Sequence, residues 1–461
     1  MPLRLDFTNM MDSAVTGGLG ADEWRQAAAA FNDAHRAVDE AHHAGTLGFL
    51  DLPESVEVGA AVVRFADETR AWATDAVVLG IGGSALGPIA LRTSLASPSW
   101  NELDDAARGG RPRLHVLQNV DPRTIAELLG RLDLARTMFV VTSKSGGTAE
   151  TMAQYLVIRA RLDSAGLPPA RHFVFITDPE RGALRALARA ESIPAFDVPA
   201  NVGGRFSVLT PVGLLPAALL GIDVHALLAG AGAIRDRCAT SDLFRNPAGC
   251  FAVLQWLATE RRGRHVHVLM PYDDRLRDIA LWFVQLWAES LGKVRPDGSH
   301  TGPTPLAALG ATDQHSQVQL FMEGPHDKTV TVIAIDARDD DLDIPALHSD
   351  VPELAYLGGH SLGELLDAER QATTGALARR GRPSMTVYLP RVDAHHLGEL
   401  MMLFEIATAY AGALFGVDAF DQPGVELGKQ FTYAVLGRAD ASAAAATEWE
   451  QLPPPDPRWS V

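Results

Sequence analysis

At 461 residues the chain is long enough for two or three domains and a large core, and its 47% hydrophobic and 21% charged residues are those of a globular protein. A net charge of −17 argues against a nucleic-acid partner, whose contact surface is basic, but leaves room for a local basic pocket that takes a small anion. Cys238 and Cys250 are the only cysteines, too few for a disulfide framework or a cysteine metal site. The start, Met1-Pro2-Leu3-Arg4-Leu5-Asp6, has no long apolar signal region. The most apolar stretch, Ser207 to Ile222, is cut by Pro211 and Pro216 and is too short to span a bilayer. No membrane partner is expected, and the location by default is cytoplasmic.

Residues 21–44 carry Trp24, Phe31 and Val38 at helical spacing and read as one amphipathic helix. A connector at Leu50 to Glu54 and a second helix over roughly 55–73 lead to a strong strand at Ala76 to Leu79. Strands then alternate with helices: His115 to Leu117, Phe139 to Val141, and His172 to Ile176. A helical stretch near 211–260 separates this block from a second one, with strands at Val266 to Met270, Val330 to Ile335 and Met385 to Leu389. Two alternating blocks predict α/β architecture with parallel sheets covered by helices, and a site at the C-terminal ends of strands. The aspartate-rich run Asp336 to Asp343 lacks the glycine and terminal glutamate of a calcium loop and reads as a solvated loop. The proline-rich tail from Pro453 to Pro457 reads as an extended end.

Two loops have the makings of an anion site. Ser143-Lys144-Ser145-Gly146-Gly147-Thr148 follows a buried strand and opens a helix, so hydroxyls, an ammonium and first-turn N–H groups converge. An ordinary strand-to-helix turn with a capping Ser or Thr is the plainer alternative. Gly80-Ile81-Gly82-Gly83-Ser84 also joins a strand to a helix. Its glycines fit the dinucleotide fingerprint, but that fold needs an acid about twenty residues on, at the end of the next strand. The acid found there, Asp121, comes far too late. Two such loops in one sheet suit one phosphate held from two sides.

Other residues carry charge in unusual places. Arg205 stands behind Gly203 and Gly204, where a guanidinium can meet a developing oxyanion; a turn arginine on the surface is the alternative. Glu289 falls on the apolar face of the helix through Ile279, Trp282, Phe283 and Leu286, in the last turn, where a negative charge opposes the helix dipole. A carboxylate against apolar neighbours takes up a proton more readily, which suits a group that shuttles one. Pairing with Lys293 at the helix margin is the alternative. His315 sits in polar surroundings ahead of a helix. His265 and His267 share a strand face, but no third ligand is evident and no metal is expected. Lys429 lies in a glycine-containing turn, where it is either brought into a cleft or simply exposed.

Taken together, Gly80–Gly87, Ser143–Thr151, Asn201–Ser207 and Gln422–Gln430, with Ala288-Glu289-Ser290 and Thr312–Ser316, resemble the glucose-6-phosphate isomerase family in its bacterial branch, over about residues 75 to 435. The resemblance implies two sugar-isomerase (SIS) type domains, each a mostly parallel sheet flanked by helices, with helical N- and C-terminal extensions. The corresponding boundaries are 1–55, 56–210, 211–435 and 436–461. It implies reversible conversion of glucose 6-phosphate to fructose 6-phosphate through a cis-enediolate, with no cofactor or metal and usually as a dimer with a shared active site. Gly83, Ser84, Ser143, Lys144, Ser145 and Thr148 would then hold the phosphate. Glu289 would move the proton between C2 and C1, Arg205 would stabilise the enediolate, His315 and Lys429 would assist ring opening, and Gln422 would line the sugar site. In the family's dimers the histidine comes from the neighbouring subunit; His300 is the alternative to His315 for that role. Gly147 stands where bacterial members usually have Thr, Ala85 replaces a larger residue, and Gln314 stands where part of the branch has Leu. A non-catalytic sugar-phosphate sensor, or an isomerase that also accepts mannose 6-phosphate, would share most of these features.

Overall fold

The computed structural model describes residues 1–460. It divides into two compact units, one from Met1 to Ala419 and a second beginning at Phe420. In chain order the strands are β1 (Arg4–Asp6), β2 (Asp75–Leu79), β3 (Arg113–Leu117), β4 (Thr137–Thr142), β5 (Phe173–Thr177), β6 (Ala195–Asp197), β7 (Val266–Pro271), β8 (Lys293–Val294), β9 (His300–Thr301), β10 (Thr304–Ala307), β11 (Lys328–Ile335) and β12 (Ser384–Leu389).

The first sheet has the order β3-β2-β4-β5-β6, and every pairing is parallel. β2, β4 and β5 are buried along their whole length, as expected for strands covered on both faces. The chain leaves β2 toward β3 on one side, and β4 starts the winding on the other. That reversal opens a crevice at the C-terminal ends of β2 and β4. The two glycine- and hydroxyl-bearing loops are the ones that flank it. Beneath them Phe139, Phe173 and Phe175 pack with Tyr155, Ile158 and Leu162 of the helix Ala149–Ser164, each ring stabilising the fold by about 1.5–3 kcal/mol on burial.

The second sheet has the order β1-β12-β11-β7-β10. Its four later strands are parallel, and β1 adds an antiparallel edge through Arg4–Asp6 against Tyr388–Thr386. The N-terminal segment, expected as helical, thus supplies a strand as well as the helix Ala21–His43. The long helix Ala394–Phe415 passes the length and composition of a membrane span, yet 89% of its apolar window is buried within the protein. It is a core helix: Phe404 packs at 4.8 Å against Phe283 and 5.4 Å against Phe251 (ring centroids).

That core fixes the helix Arg277–Leu291. Trp287 stacks on Phe283 at 5.3 Å, and its Nε1 donates to His267 Nδ1 at 3.0 Å. His267 Nε2 meets Thr259 Oγ1 at 3.0 Å. Burial pushes the His267 imidazole down to about 3, so the ring is neutral. Its position is structural, with both nitrogens occupied.

The second unit contains helices Glu426–Val435 and Ala443–Glu450, joined by Phe431 against Trp449 at 5.6 Å.

Candidate active site

At the C-terminal end of β4, three hydroxyls gather ahead of the helix Ala149–Ser164. Ser143 Oγ lies 2.9 Å from Thr148 Oγ1 and 3.4 Å from Ser145 Oγ, and Gly147 N donates to Ser145 Oγ at 3.3 Å. Thr148 is the N-cap residue but makes no side-chain cap, so the first-turn donors of a 16-residue helix face the same space as the hydroxyls. Lys144 turns its ammonium elsewhere, onto the carbonyls of Ala200 at 2.8 Å and Val202 at 2.7 Å.

The Gly80–Ser84 loop ends in a short 3-10 turn, Gly82–Ser84. Gly83 packs so closely on the Arg205 segment that an added Cβ would lie 2.2 Å from the Gly204 carbonyl oxygen. Gly82 has φ +56°, and a Cβ there would lie 2.8 Å from Gln285 Nε2. Glycine is required at Gly83 by the approach of backbone and favoured at Gly82 by its left-handed φ.

Arg205 is 4% exposed. Its Nε donates to Ser290 Oγ at 2.7 Å and its Nη2 to the Ala419 carbonyl at 2.5 Å. Nη1 lies 3.7 Å from Glu289 Oε2. Glu289 keeps 27% of its side chain exposed and accepts from Gln285 Nε2 at 3.1 Å, one helical turn back. Lys293, the alternative partner for this carboxylate, donates instead to the Asp418 carbonyl at 2.6 Å. The structure therefore brings together Glu289, Arg205, Gln285 and Ser290, next to Gly82 and Gly83.

His315 and His300 are both exposed. His315 ends the turn Thr312–His315 and joins none of the hydrogen bonds described around Glu289. Gln422 and Lys429 belong to the second unit and are exposed; there Lys429 Nζ pairs with Glu426 Oε1 at 2.7 Å.

A phosphoglucose isomerase family model matches residues 51–450. The chain belongs to that family. It is 44% identical to the glucose-6-phosphate isomerase of Carboxydothermus hydrogenoformans, over 95% of each chain. It is 45% identical to that of Rubrobacter xylanophilus, over 95% of this chain and 98% of that one. Among solved structures, a hypothetical protein from Thermus thermophilus superposes with a TM-score of 0.84 at 40% identity, over 94% of this chain and 99% of that one. A glucose-6-phosphate isomerase from Chlamydia trachomatis gives 0.74 at 26% identity, over 86% and 76%.

Within this phosphoglucose isomerase frame, two neighbours of Glu289 have no role assigned from the sequence, although Ser290 lies in the Ala288-Glu289-Ser290 segment. Gln285 has an i, i+4 relation to Glu289 that places the two side chains on one helix face, and that spacing was the available signal. Its Oε1 is buried without a hydrogen-bond partner. Ser290 is fully buried under Arg205, a pairing across 85 residues that no local pattern encodes. Two departures from the family's usual residues also acquire a physical setting. A Cβ at Gly147 would meet nothing within 4 Å. Gln314 Oε1 accepts from Tyr272 Oη at 2.6 Å and Thr373 Oγ1 at 2.9 Å, anchoring the His315 turn by polar contacts that Leu would lack.

Proposed function

We propose that this chain is a glucose-6-phosphate isomerase, interconverting glucose 6-phosphate and fructose 6-phosphate in glycolysis and gluconeogenesis, by proton transfer through a cis-enediolate. The observation that carries this reading is the Glu289 carboxylate, 3.7 Å from a buried Arg205 guanidinium, on the Arg205 segment that also packs against the Gly83 loop. Ser84, Ser143, Ser145 and Thr148, with Gly83 and the helix N-terminus, hold the phosphate. It lies far from the reacting carbons, so its binding energy goes into orienting the sugar. Glu289 takes the proton from C2 and returns it to C1. As it does so, negative charge passes from the carboxylate to the sugar oxygens, and Arg205 stays beside it throughout. The chain's own Gln285 holds Glu289 by a hydrogen bond, and its unpartnered Oε1 is an acceptor for a sugar hydroxyl.

Ring opening falls to His315 and Lys429, with Gln422 beside the sugar. The exposure of His315 fits a residue that works in a neighbouring subunit, and the enzyme is then a cytoplasmic homodimer with a shared site. The test is fructose 6-phosphate turnover by the purified protein, coupled to glucose 6-phosphate detection, with a chelator present. Turnover is expected. Binding of the sugar phosphate in a calorimeter without turnover would make the protein a sensor.

A further inference from the structure

Lys144 lies between two serines of the cradle, but its ammonium is spent on the segment that carries Arg205. An ammonium has three N–H donors. Two of them go to Ala200 O at 2.8 Å and Val202 O at 2.7 Å, three to five residues before Arg205. The lysine backbone is itself anchored, since Asp178 N donates to Lys144 O at 3.2 Å. The same segment is held from its other side by the N-terminal part of the chain. Asn201 Nδ2 donates to Gly45 O at 2.9 Å, Gly48 N donates to Asn201 O at 3.2 Å, and the Phe49 and Phe206 rings meet at 5.0 Å. Gly204 closes the arrangement against Gly83. Among the described hydrogen bonds, those of Lys144 join the Arg205 segment to the loop that carries the cradle hydroxyls.

We infer that Lys144 is a positioning residue for Arg205, a strut that ties the phosphate cradle to the enediolate-stabilising loop rather than a charge that mainly binds phosphate. Charge-assisted hydrogen bonds are the strong ones, so two of them on nearby carbonyls fix the loop's path. Partial burial lowers the ammonium's proton affinity, with Asp178 opposing that effect; a half-buried cation bonded to two carbonyls loses both bonds if it is redirected. Occupancy of the cradle and the placement of Arg205 are then mechanically linked. The inference rests on the isomerase reading for its kinetic arm, but not for its structural one.

The test compares wild type with Lys144→Met, which keeps most of the aliphatic stem and removes the donors, and with Lys144→Gln, which restores an uncharged N–H donor group. Three quantities are read: kcat and KM for fructose 6-phosphate, competitive inhibition by inorganic phosphate, and amide hydrogen exchange over residues 199–206. For Lys144→Met, kcat falls on the order of 10- to 100-fold, while KM and the phosphate inhibition constant stay within about 3-fold. Exchange over 199–206 accelerates, and Lys144→Gln recovers part of both losses. A phosphate inhibition constant raised by about tenfold or more, with kcat retained and exchange over 199–206 unchanged, would overturn the inference and make Lys144 a phosphate ligand. If the wild type shows no turnover, the isomerase reading fails by itself. Exchange over 199–206 then decides the strut alone: unchanged exchange in both variants overturns it.

Discussion

Removing Arg205 separates stabilisation of the reacting sugar from its binding. Arg205→Ala strips the partner from fully buried Ser290 Oγ at 2.7 Å and from the Ala419 carbonyl at 2.5 Å. Each buried group left unpaired costs about 1–3 kcal/mol, so a stability loss of about 2–6 kcal/mol accompanies the change. Arg205→Lys keeps the charge but presents a point ammonium where a planar fork spanned three partners, and its stability loss is smaller. The catalytic effect is separate: losing a donor aimed at a developing oxyanion lowers kcat by about 10²–10³-fold. None of the described hydrogen bonds of the Arg205 side chain reaches a cradle hydroxyl, so KM for fructose 6-phosphate and inhibition by inorganic phosphate change little. The assay is coupled isomerisation well below the variant's own melting temperature, with thermal unfolding followed in parallel. A raised KM with kcat unchanged would instead make Arg205 a binding residue that contributes equally to ground and transition states.

Gly147→Thr adds a hydroxyl beside Ser145 and Thr148 where a Cβ meets nothing within 4 Å; it should lower the inhibition constant of inorganic phosphate by about 3- to 10-fold, the scale of one added hydrogen bond, and a raised constant would place the phosphate elsewhere. Asp75 is buried beneath the first sheet's N-terminal edge. Burial pushes its carboxyl upward, but hydrogen bonds from His115 at 3.1 Å and from Arg113 at 2.7 and 2.8 Å outweigh that and hold it well below the usual carboxylate range. A depressed folded-state pKa gives stability that is present above the unfolded value of about 3.9 and lost as pH falls toward the folded one. Asp75→Asn should therefore cost about 3 kcal/mol near neutral pH and progressively less below about pH 4, as read by denaturant unfolding; a gap that widens on acidification would reverse the assignment.

Strands buried on both faces were the most legible elements. β2, β4 and β5 have continuous apolar centres and β11 is apolar but for its threonines and Lys328, and their sequence-derived limits fall within two residues of those observed. What escaped has a common cause, the lack of a pattern to read. β1 is three residues on an edge, β6 is three residues of which Asp197 is exposed, and β10 contains Pro305, which argues against a strand except at an edge. The helix Ala394–Phe415 is buried on every face and so shows no polar stripe. At the site, Glu289 stands out in the sequence because it breaks two local rules at one position. Its geometry with Arg205 and Ser290 depends on tertiary contacts across more than 80 residues. The direction of the Lys144 side chain was hidden for the same reason.

The isomerase reading turns on Glu289 carrying a proton between C2 and C1. It is tested most directly by running the reaction in D2O with wild type and Glu289→Gln and following the sugar by proton NMR. Wild type is expected to turn over and to place solvent deuterium on the reacting carbon to the extent that protonated Glu289 exchanges with water before giving its proton back. Glu289→Gln, which can still accept from Gln285 through its amide oxygen, should bind the sugar phosphate yet lose both exchange and turnover by about 10²–10⁴-fold. Turnover or exchange undiminished in Glu289→Gln would transfer the proton to another group and contradict it.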